Sequence, residues 1–171
     1  MTTSLVFTFI AKDKPGIVER LSKTVSDFGG NWLESRMSHL AGQFAGITRV
    51  QVSSEQSAAL TTALFALSSN DLTVVVTSGE DTSAPASLQE RVLSIIGNDR
   101  PGIVLEVSST LAARSINVIE MDTRLTSAAM TADSLFEATV TIQLPASQDL
   151  LELEEKLDEI ANDLSIDISI E

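Results

Sequence analysis

At 171 residues the chain has room for one medium domain or two small ones. A net charge of −13 sets it against phosphate backbones, which excludes direct nucleic-acid binding as its main activity. The absence of cysteine removes disulfides, thiolate metal sites and cysteine nucleophiles. The first cation, Lys12, follows the apolar run Leu5 to Ile10, the reverse of a secretory signal. No stretch approaches the roughly 20 apolar residues of a membrane span. The expected compartment is therefore the cytoplasm.

Residues 4–11 are apolar and β-branched and predict a mostly buried strand. After Pro15-Gly16, the spacing of Val18, Leu21, Val25 and Phe28 predicts a helix with Pro15 at its first position. Gly29-Gly30 supplies the left-handed stop. A strand from Asn31 to about His39, a short connection at Leu40 to Gly42 and a strand from Gln43 to Val52 read as a hairpin. Gly46 within it predicts a bulge or a close backbone approach. Residues 55–69 suit a helix, and Leu72 to Thr77 a strand.

The order then starts again. Asp13-Lys14-Pro15-Gly16-Ile17-Val18 recurs as Asp99-Arg100-Pro101-Gly102-Ile103-Val104, an offset of 86. The same offset carries Asn31 to Asn117, Leu33 to Ile119 and Glu34 to Glu120. It then slips by six, so that Phe44 matches Phe136 and the second copy has a longer excursion around residues 126–133. Residues 89–97 repeat the first strand, and Ile103, Val107 and Leu111 repeat the first helix. Leu150, Leu153, Leu157, Ile160 and Leu164 mark one apolar helix face. Ser165 to Glu171 alternates as a half-buried strand.

The fold class read from this order is α+β: two tandem ferredoxin-like βαββαβ domains, each an antiparallel sheet with two helices on one face. The domains are expected at residues 1–78 and 88–171, with a polar linker at 79–87. Charge divides unevenly between the halves, net −2 over residues 1–85 and net −11 over residues 86–171. Domains this small gain by packing against a neighbour, so a homodimer is among the expected assemblies.

The segments Asp13-Lys14-Pro15-Gly16-Ile17-Val18 and Asp99-Arg100-Pro101-Gly102-Ile103-Val104, with Asn31 to Met37 and Leu40 to Phe44, resemble the ACT domain family. A tandem pair is similar to the glycine cleavage system transcriptional repressor family. That resemblance implies sensing of a small amino acid, glycine by analogy, with ligands held where two such domains meet. It also implies control of a separate DNA-binding activator by protein contact. The second copy departs from the pattern after Glu120, where Met121-Asp122-Thr123 replaces Ser35-Arg36-Met37.

The chemistry of the two Pro-Gly turns supports a site without the family. First-turn N–H groups of a helix are unpaired and carry partial positive charge, and glycine leaves the backbone open to a carboxylate. Asp13, Lys14, Pro15, Gly16 and Ile17, with Asp99, Arg100, Pro101, Gly102 and Ile103, are therefore the candidate ligand-binding residues. Asp13 and Asp99 either cap the helix or meet a ligand's ammonium group. Asn31 and Asn117, with a donor and an acceptor each, complete the candidate set. A Gly16→Val change is expected to crowd the turn at little cost to the fold.

No nucleophile, base and oxyanion site assembles, and no phosphate-binding or metal-binding motif is present. His39, the single histidine, lacks partners at ligand spacing. No catalytic residue, metal or cofactor is expected. The alternatives are an interaction module without a metabolite ligand and a regulatory subunit of a metabolic enzyme.

Overall fold

The computed structural model describes residues 1–79, 88–127, 134–145 and 149–171. Most of the expected linker, and the excursion beyond Ser127, lie outside the described residues. The chain divides into two compact units, Met1–Ser83 and Ala84–Glu171, and each is described by itself. No helix among the described residues is long and apolar enough to cross a membrane.

Unit 1 runs β1 (Thr2–Lys12), α1 (Ile17–Asp27), β2 (Asn31–Leu40), β3 (Gln43–Ser53), α2 (Ser57–Ala66) and β4 (Leu72–Ser78). Unit 2 repeats it as β5 (Leu88–Asn98), α3 (Ile103–Ala113), β6 (Asn117–Ser127), β7 (Ser134–Pro145), α4 (Leu150–Leu164) and β8 (Ile166–Ile170). The sheets have the order β2-β3-β1-β4 and β6-β7-β5-β8, antiparallel throughout. This is the ferredoxin-like α+β fold, twice.

Alternation in β1 sends Leu5, Phe7, Phe9 and Ala11 to the helix side, where Leu21 and Val25 of α1 and Leu60 and Leu64 of α2 meet them. Each such side chain taken from water contributes about 1.5–3 kcal/mol. Phe7 is fully buried and packs edge-on against Trp32, ring centroids 5.7 Å apart. Unit 2 builds the matching core from Leu93, Ile95, Val107, Leu111, Leu153 and Leu157.

Two local expectations are corrected, and of the two readings of Gly46 the close backbone approach holds. Helix α1 starts at Ile17 with Gly16 as its N-cap, so Pro15 precedes the helix and is not its first residue. Ile17, Leu21 and Val25 therefore form the buried stripe, and Val18 is left 40% exposed. The β2 bulge falls between Trp32 and Glu34, repeated between Val118 and Glu120 in β6. Gly46 instead marks a close approach: a Cβ there would lie 2.8 Å from the Phe9 ring and 3.0 Å from the Arg36 carbonyl.

The stops of α1 and α3 share one hydrogen-bond pattern with different residues. Gly29 N–H donates to Ser26 and Gly30 N–H to Val25, with Gly29 at φ 66°. In unit 2, Ser115 N–H donates to Ala112 and Ile116 N–H to Leu111, with Ser115 at φ 57°. A serine held left-handed is strained where glycine is not. Ser115→Gly is expected to stabilise unit 2 by about 1 kcal/mol, read as a higher urea midpoint.

Candidate functional site

The turn between β1 and α1 sits at one end of the unit 1 sheet. Gly16 holds φ 91° and ψ 0°, and among the described residues no side-chain cap hydrogen bond closes the start of α1. Gly102 adopts φ 104° at the equivalent corner of unit 2. A Cβ on Gly16 would have only Glu19 Oε2 near it, at 3.9 Å, so the glycine serves backbone conformation rather than space. The expectation that Gly16→Val costs the fold little is thereby corrected. A left-handed L-residue costs roughly 1–2 kcal/mol, and a β-branched one fits worst.

A shallow depression of about 170 Å³ opens at this corner, lined by Lys12, Lys14, Gly16, Ile17, Arg20 and Asp71 among others. Lys12 and Lys14 both reach Asp71, at 2.9 and 2.8 Å. The hydrogen bond from Lys14, then that from Lys12, lowers the Asp71 carboxyl to about 2. Because that value lies below the ordinary 3.8, the clamp is fully formed above about pH 4 and is lost as pH falls through about 2. A carbon-13 titration of Asp71 is expected to show its midpoint near 2, and Lys14→Ala to raise it.

Asp13 does not cap α1. Its carboxylate lies 3.6 Å from His39 Nε2, both side chains exposed, while its N–H donates to the Gly42 carbonyl. His39 thus sits at the turn as a polar neighbour. Asn31 does not reach this corner within its unit. It pairs with Gln51, itself opposite Ser4, whereas the turn follows Lys12. Those ends of β1 are about 26 Å apart at roughly 3.3 Å per residue.

At the other corner, position by position at the offset of 86, Asn98 stands for Lys12, Arg100 for Lys14 and Glu106 for Arg20. Arg100 turns to the α4 end and donates to the Asp163 carbonyl at 2.8 Å. Pro101, Gly102 and Ile103 repeat the backbone path, with Asp99 N–H donating to the Ser134 carbonyl. Asn117, like Asn31, opens its strand away from the turn, paired with Gln143.

Lys12, Arg20 and Asp71 were not among the sequence candidates. One signal was available: four of the 11 Lys and Arg residues fall within residues 12–23, in a chain of net charge −13. Asp71 had none, because its counterpart at the start of β8 is Ser165.

Residues 3–77 match the family model of the ACT domain. That match spans nearly the whole of the first unit. Unit 2 repeats its element order and sheet order, so the chain is a tandem of two ACT-like domains. Among curated proteins none matches the sequence. Among solved structures, the chain is similar to an unknown protein from Galdieria sulphuraria, 26% identical, with a TM-score of 0.88 over 100% of this chain and 98% of that one. It is also similar to a protein provisionally assigned as a glycine cleavage system transcriptional repressor, 18% identical, with a TM-score of 0.73 over 100% and 97%. At that identity the second likeness speaks for the fold. The ACT domain match and the shared tandem architecture agree on the fold.

Proposed function

We infer that this tandem ACT protein is a non-enzymatic, cytoplasmic regulator whose unit 1 turn binds a small amino acid. The ligand's carboxylate would lie on the open first-turn amides around Gly16 and Ile17, with Lys14, Lys12 and Arg20 beside it. Asp13 would face the ammonium group. The observation that carries this reading is the pairing of uncapped helix amides with three cations around one depression, in a chain that is otherwise strongly acidic. Asp71, held by Lys12 and Lys14, and Glu19, in the first turn of α1, are the internal anions the ligand must outcompete.

The corner of unit 2 favours a structural role. Asn98 and Glu106 stand where unit 1 has Lys12 and Arg20, so Arg100 is the single cation at these three positions. The two copies are therefore assigned different work, ligand capture by unit 1 and scaffolding by unit 2. By resemblance, the regulated partner is a DNA-binding transcription activator and the process is glycine cleavage control, with glycine as the first ligand to test. The negative charge of the chain fits action through a partner rather than on DNA.

Isothermal titration of the full chain against the common amino acids tests the reading. Saturable heat with one of them is expected, at one site per chain. Absence of heat and of any thermal shift across the set would leave the protein-interaction module as its function.

A further inference from the structure

Strand alternation gives each sheet one side toward its helices and one side away from them. The outer side of unit 1 carries Val6, Ile10, Ile47 and Val75, neighbours across β1, β3 and β4 around Thr8. Ile10 and Ile47 are each 49% exposed and Val75 is 52% exposed. A contiguous exposed apolar strip of this kind marks a contact surface.

Charge says what covers it. Beside the strip, Glu34 and Arg49 satisfy each other at 2.7 Å. Arg36, opposite Ile47 in the register, has no ion pair among the described residues. On the outer side of unit 2, Glu137 accepts from Arg124 at 2.6 Å and from Thr126 at 2.9 Å. Asp122, exposed opposite Thr139, has no ion pair among the described residues. Arg36 and Asp122 are the same position of the repeat, 86 residues apart. Shallow depressions open at both places, one beside Arg36 and Ile47, the other beside Asp122 and Thr139. Two faces built on one frame thus present opposite unpaired charges at matching points. Pairing like faces sets charge against like charge, and pairing unlike faces sets Arg36 against Asp122.

We propose that the outer sheet face of unit 1 docks on the outer sheet face of unit 2 of a second copy of this chain, Arg36 facing Asp122. The apolar strip supplies buried area, and the charges supply register and choice of partner. Each copy offers one face of each kind, so under twofold symmetry the contact is made twice in a dimer. The divergence of the repeat at Arg36 and Asp122 then has a physical reason, since identical units would repel at this point.

Analytical ultracentrifugation of the full chain tests the proposal. Wild type is expected to sediment at twice the chain mass, with dimerisation weakened by salt. Arg36→Glu and Asp122→Arg are each expected to weaken the dimer at least about tenfold, and the variant carrying both to recover most of that loss. Both residues are exposed, so circular dichroism should stay unchanged; Ile47→Asp, in the apolar strip, should also give monomer. A wild type that stays at the chain mass overturns the proposal, and so does a combined variant as weak as either single change.

Discussion

Replacing Lys12 by Asn and Arg20 by Glu, the residues that unit 2 carries at the same positions, is expected to weaken amino-acid binding by about tenfold. Each exposed cation beside a carboxylate contributes about 0.7 kcal/mol after solvent screening, so the two together amount to about tenfold in affinity. The fold should be retained, because unit 2 builds the same strand, turn and helix with Asn98 and Glu106. Titration calorimetry reads the affinity and thermal unfolding reads the fold.

Phe7→Ala is expected to destabilise unit 1 by about 3–5 kcal/mol. Phe7 is fully buried at the centre of the unit 1 core, and its loss removes the edge contact to Trp32 at 5.7 Å. A domain of this size has roughly 5–10 kcal/mol to lose, so the variant should be close to unfolded at physiological temperature. Trp32 is the single tryptophan of the chain, which makes its emission a reporter of unit 1 alone. A red-shifted emission at low urea is the expected reading, with unit 2 followed by amide exchange.

The architecture was legible because two independent signals agreed: residue identities repeated at an offset of 86, and hydrophobic periods switched between two and 3.6 at the same places in both copies. Where a helix begins was less legible. Pro15 suits a first helical position, but the left-handed Gly16 after it delays the helix by two residues and turns the buried face from Val18 to Ile17. The bulge at Leu33 carries no sequence mark, since bulged and regular β residues look alike, while Gly46 attracted attention for a steric reason instead.

The site was half legible. The Asp-x-Pro-Gly segments located both corners, and elementary helix electrostatics supplied the chemistry. Asn31 was grouped with the turn because it is near in sequence after α1, yet a crossover helix returns the chain to the far end of the sheet. Lys12 and Asp71 come together only through the pairing of β1 with β4, a contact across more than half of unit 1 that no local pattern encodes.

Backbone amide NMR of the full chain under titration with glycine and the other common amino acids addresses the account at its centre. Binding at the first corner predicts saturable shifts concentrated on Gly16, Ile17 and Val18, with Gly102 and Ile103 unmoved. Saturable shifts elsewhere with the Gly16 amide silent, or none with any amino acid, would contradict it.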